Sequence, residues 1–141
     1  MRLLAITGLI LALTACGANK KSKEEQEKAE RDTRFEQVMA IHDEVMPKMS
    51  DIRKLKKALQ AKADTTDASD SSGAAIEPLS EMIYELEEAS ESMMVWMRAF
   101  SEPDQEMPHD EAMKYYDEEM AKIQEVKNKM LQAIEKAEAM R

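Results

Sequence analysis

The stretch TRFEQVMAIHDEVMPKMSDIRKLKKAL, residues 33–59, places Phe35, Val38, His42, Val45, Met49, Ile52, Lys56 and Leu59 at alternating steps of three and four. That period belongs to a helix that turns one face toward a partner, not to a strand, whose faces alternate every second residue. Thr33 precedes Glu36 by three residues, the spacing of a capping box, so the helix is expected to start at 33 and run to about 62. Pro47 interrupts it. Counted from the stripe, Pro47 falls opposite the seam, where the freed carbonyl of Asp43 meets water, so a kink is expected rather than a break.

Working toward the C-terminus, the pattern recurs twice. Ile76, Leu79, Ile83, Leu86, Ser90, Met93, Met97 and Phe100 form a second stripe, with Pro78 tolerable in the first turn of a helix over about 76–100. Met113, Tyr116, Met120 and Ile123 open a third, which drifts through Val126 to Met130, Ile134 and Ala137 and predicts a helix over about 110–140. Residues 63–74 (ADTTDASDSSGA) read as an acidic, Ser-rich loop, and 101–109 (SEPDQEMPH) as a turn with two prolines. Each stripe alone would expose an apolar seam. Three such helices on modest loops bury their seams most simply as an all-α, antiparallel up-down-up three-helix bundle with coiled-coil-like seams, over 33–141. With its ends level, Phe35 meets Phe100 and Met113. Met39, Met46, Met82, Met94 and Trp96 flank the seams and widen the apolar faces.

Toward the N-terminus, residues 16–32 are almost wholly polar (Lys20, Lys21, Lys23, Glu24, Glu25, Glu27) and read as a disordered tether that admits helix near its end. Before it, Arg2 leads an apolar run from Leu3 to Leu13 broken only by Thr7 and Gly8. This is a short charged region followed by a secretory apolar region, too short to span a bilayer. Leu13-Thr14-Ala15-Cys16-Gly17 follows and resembles the lipobox of bacterial lipoproteins cleaved by signal peptidase II. Ala15 and Gly17 are small enough for a membrane-embedded protease, and the Cys16 thiolate is a soft nucleophile for diacylglycerol. The expectation is a signal peptide over 1–15 and a lipidated Cys16 as the first residue of the mature chain. Cys16 is the single cysteine, so disulfides are excluded. Two or three acyl chains hold a protein firmly at a membrane, where one holds it marginally.

The chain carries 20 basic and 29 acidic residues, and removing 1–15 takes away Arg2 alone, which moves the formal net charge from −9 to −10. So acidic a protein does not seek nucleic acid or an anionic lipid surface by counterion release. Three Gly, four Pro and 4% aromatic residues fit a helical protein with little strand potential. One small domain of this length leaves little room for a deep enzymatic cleft.

Catalytic signatures are missing from the sequence. It has no Gly-rich phosphate loop and no Ser-His-Asp spacing, and runs such as Glu85-Leu86-Glu87-Glu88 lie mostly off the seam. The reading is not an enzyme. His109 is read as a solvated residue in the acidic turn. One other constellation stands out. Thirteen methionines are present, concentrated in HDEVMPKM (42–49), SMMVWMRAF (92–100) and EMPHDEAM (106–113). With level ends, His42, Met93 and Met120 fall in one layer, with Met97 and Trp96 about one turn away. Thioethers beside an imidazole suit soft Cu(I) or Ag(I), and an indole face helps hold a cation. The stronger competing reading is packing, because Met fills irregular cores and a seam His is usually a satisfied polar residue.

HDEVMPKM, the Met93-Met94-Val95-Trp96-Met97 segment and the lipobox together resemble a group of small lipoproteins from Bacteroidota. Some of those carry the label "viral A-type inclusion protein", which reflects generic coiled-coil similarity and implies no viral function. The resemblance covers the signal and most of the three-helix region, and it implies no activity. In that phylum an acidic, Lys-led signal close behind the cysteine sends lipoproteins to the cell surface. Lys23-Glu24-Glu25 looks like such a signal, though it lies further from Cys16 than the pattern prefers. Gly17, unlike Asp there, is compatible with the outer membrane. The sequence thus leads to a lipid-anchored envelope protein whose helical bundle has a structural or protein-interaction role. The alternatives are a soft-metal module using His42, Met93, Met97 and Met120, and a self-associating coiled coil.

Overall fold

The structure, a computed structural model, describes residues 15–67 and 74–141. Four α-helices follow in order: α1 (Ala15–Val45), α2 (Lys48–Asp67), α3 (Glu77–Ala99) and α4 (His109–Ala139). Among the described residues no strand occurs. Three rods make up the bundle, because α1 and α2 are one rod bent at Pro47. Pro47 is exposed, as its position opposite the seam requires. It has no amide to donate, and the chain passes it by a tighter turn, with the Met49 and Ser50 amides donating to Met46 and Pro47 carbonyls three residues back at 3.1 Å. Helical assignment lapses for two residues and the rod then resumes in the same direction.

Ion pairs fix that direction. Arg34 pairs with Asp117 at 3.2 Å and Glu44 with Lys127 at 2.6 Å, and the Lys62 ammonium donates to the Met140 carbonyl at 2.7 Å. Both numbers rise together, so the bent rod and α4 run parallel. Phe35 meets Phe100, His42 meets Trp96 and Lys56 meets Glu87, so α3 runs antiparallel to the rod. The result is the up-down-up three-helix bundle expected from the stripes.

The core follows the stripes with a rotation. Val38, Val45, Ile52 and Leu59 are buried as expected, and Leu55 and Ala63 join them. In α3 the buried positions are Leu79, Met82, Leu86, Ala89, Met93 and Trp96, so Met82, Ala89 and Trp96 replace Ile83, Ser90 and Met97 at the centre of the face. In α4, Ala112 and Glu119 take the places expected for Met113 and Met120. The reason is geometric. Each helix of a three-helix bundle packs between two neighbours, so its buried face is wider than a single seam, and steps of three and four both stay on it.

The polar segment 16–32 departs from a disordered tether, for α1 is helical from Ala15. No Gly or Pro interrupts 18–46, and basic and acidic residues recur at i and i+4: Lys20–Glu24, Lys21–Glu25, Lys23–Glu27 and Lys28–Asp32. Each such pair adds only about 0.3–0.5 kcal/mol to a helix, but four in succession favour one state. Thr33 therefore does not cap a helix. It sits mid-helix, and its hydroxyl donates to the Ala29 carbonyl at 2.8 Å. Residues 1–14, which hold the signal-peptide reading, lie outside the described residues. Among the described residues no helix is long and apolar enough to cross a membrane.

Candidate functional site

Chemistry concentrates at the end of the bundle where α3 turns into α4. Five of the six aromatic residues gather there. Phe35 stacks on Phe100 with ring centres 6.2 Å apart, Phe100 on Trp96 at 4.8 Å and on Tyr115 at 6.3 Å, and Tyr115 meets Tyr116 edge-on at 5.9 Å. The His42 imidazole joins from α1, 5.8 Å from the indole of Trp96. Such ring pairs contribute about 0.5–1.5 kcal/mol each beyond their buried area.

One carboxylate is built into the cluster. Glu119 is 5% exposed, accepts a hydrogen bond from the Trp96 indole N–H at 2.9 Å and pairs with Lys122 at 2.6 Å. Burial of an ionised group is expensive unless hydrogen bonds and an opposite charge compensate it, and here both are supplied. The hydrogen bond to Glu119 and its charge raise the Lys122 pKa above its ordinary value. Desolvation likewise raises that of the Tyr116 phenol. Spacing alone admits Glu119 or Met120 on this face, since each lies three or four residues from both Tyr116 and Ile123. The charge of Glu119 disguised it.

The turn after α3 is tied down by side chains. The Tyr115 hydroxyl donates to the Ser101 carbonyl at 2.7 Å and accepts from the Ser101 amide at 3.2 Å. Arg31 reaches across from α1 and donates to the Met107 carbonyl at 2.6 Å. His109, read as solvated, is instead largely buried at the first residue of α4, with Nε2 3.1 Å from the Glu30 carboxylate. A cleft lined by Glu24, Glu27, Arg31, Glu102 and Tyr116 lies between α1 and this turn.

The four residues read as soft-metal ligands do not share one layer. His42 is largely buried, with its side chain 13% exposed, and its Nδ1 lies 2.8 Å from the Asp43 carboxylate. Met93 is fully buried in the common core, whereas Met97 is 39% exposed. Met120 is half-buried on α4, three residues from Asp117, which pairs with Arg34 of α1. Met120 thus belongs to the groove between α1 and α4, while His42 and Met97 border the groove between the bent rod and α3. Among the described residues no group of three or more His, Cys, Asp or Glu is placed to hold a metal ion. The acidic run 85–88 ties helices together: Glu85 to Lys136 at 2.8 Å, Glu87 to Lys56 at 3.3 Å and Glu88 to Lys129 at 3.8 Å. Cys16 falls in the first turn of α1. Comparison of the chain with protein families, with curated proteins and with solved structures finds no match.

Proposed function

We propose that the protein is an envelope lipoprotein, anchored through acyl chains on Cys16, whose helical bundle serves as a structural or protein-binding element at the membrane. The observation that carries this reading is the order of the N-terminus: Arg2, an apolar run over Leu3–Leu13, then Leu13-Thr14-Ala15-Cys16-Gly17. The outer membrane is the favoured destination, since Gly17 rather than Asp follows the cysteine. A helical connection supports the same reading. The cleft beside the 101–108 turn is reached first by Glu24, eight residues after Cys16, so at 1.5 Å per residue about 12 Å of helix separates anchor from bundle. A stalk of that kind sets a fixed standoff from the lipid, which a flexible tether does not.

Mass analysis of the N-terminal peptide from membrane-extracted protein tests the anchor. It is expected to begin at Cys16 and to carry diacylglycerol. A chain that begins elsewhere, or an unmodified Cys16, overturns the reading.

A further inference from the structure

The groove between the bent rod and α3 gathers thioethers around one imidazole. Three contacts set the antiparallel register there: Phe35 with Phe100, His42 with Trp96, and Lys56 with Glu87. Between the first two pairs the register brings Met97 level with Met39 and His42. Between the last two it brings Met94 level with Met46. Met39, His42 and Met46 share one flank of α1, because offsets of three and four residues are neighbours on a helix. Met94 and Met97 lie on the same side of α3 as Glu87, which faces Lys56 of α2, and both are more than a third exposed. Met39 and Met46 are half-buried. These four side chains are therefore partly open to solvent, whereas Met82, Met93 and Met130 are closed in the core.

The state of His42 suits a ligand. Its Nδ1 faces the Asp43 carboxylate at 2.8 Å, so in the neutral ring the proton sits on Nδ1 and the lone pair on Nε2. A carboxylate that holds one imidazole nitrogen while the other binds metal is the usual outer support of a metal-bound histidine. Thioether and imidazole donors favour soft monovalent cations over Mg²⁺ or Ca²⁺, which require oxygen ligands. The formal charge of −9 adds a general attraction for cations.

We propose that this groove is a binding site for one soft monovalent cation, Cu(I) in chemical class, held by His42 Nε2 and the thioethers of Met39 and Met97, which the register sets level with it. Met93 and Met120 play no part, the first as core filling and the second as part of the α1–α4 groove. The proposal is independent of lipid anchoring, and Trp96 reports on it directly, being the single tryptophan and 5.8 Å from the His42 ring.

Titration of the full chain with Ag(I), followed by Trp96 fluorescence and by calorimetry, tests the site. Cys16→Ala is present throughout so that no thiol competes for silver. One Ag(I) per chain with saturable quenching is expected. Met97→Leu changes an exposed position at nearly constant volume and leaves the fold intact. It is expected to weaken binding about tenfold or more, the scale on which metal sites respond even to loss of a supporting partner. Met120→Leu is expected to bind as the parent does. No saturable binding to the parent, unaltered affinity in Met97→Leu, or an equal loss in Met120→Leu overturns the proposal.

Discussion

Glu119 and Trp96 show how a single pair of side chains fixes the rotation of two helices. The indole N–H has one place to donate, 2.9 Å away on the neighbouring helix, and the carboxylate is nearly enclosed. Trp96→Phe keeps the ring stack on Phe100 but leaves Glu119 with Lys122 alone. Hydrogen bonds to charged groups contribute about 1.5–3 kcal/mol, and stranding one partner in a buried setting adds to that, so a loss of about 2–3 kcal/mol is expected. Glu119→Leu removes the other partner. Replacing both at once is expected to cost clearly less than the two single losses summed, because neither group is then left buried and unsatisfied. Urea unfolding of the two single variants and the double variant measures this. Strict additivity would mean that the pair is not coupled.

At the scale of elements, packing decides stability and surface charge adds little. Leu86 is fully buried on α3, while its neighbour Glu87 is exposed and paired with Lys56. Leu86→Asp places a charge in the core without a partner and is expected to cost at least about 4 kcal/mol, enough to unfold a small bundle. Glu87→Ala is expected to cost under about 1 kcal/mol, the range of exposed ion pairs. Thermal melts followed by circular dichroism separate the two, and similar losses would contradict the assigned faces. Much of this level was legible in the sequence. The three stripes, the proline-containing turn after α3, the bend at Pro47 and the meeting of Phe35 with Phe100 all follow from apolar spacing and proline chemistry, whereas α2 runs on to Asp67, through the start of the Ser-rich loop expected over 63–74. The rotation of α3 and α4 was not. A heptad reading chooses one of two adjacent positions at each step, and only the neighbouring helices decide between Met82 and Ile83 or between Glu119 and Met120. That same rotation moved Met120 away from His42 and divided the expected metal layer between two grooves. The helix over 16–32 was hidden for another reason: charged residues at i and i+4 have the composition of a tether and the spacing of a helix.

For the whole molecule, α1 links the polar segment after Cys16 to the bundle without a break. The rod that carries Cys16 in its first turn continues as α1 into the core at Val38, and α4 packs parallel to it. The helix is pinned where it enters the bundle, by Arg31 on the 101–108 turn and by His109 on Glu30. Under the proposed function, acyl chains at one end of this rod set the position of everything attached to it. Only a thiol accepts diacylglycerol, so Cys16→Ala is the most direct challenge to that claim. Wild-type protein is expected in the membrane fraction and in the detergent phase after temperature-induced partitioning, processed before Cys16 and labelled by radioactive palmitate. Cys16→Ala is expected to remain an unprocessed, unlabelled precursor that is mislocalised. Normal processing, labelling and membrane retention of Cys16→Ala would contradict the account.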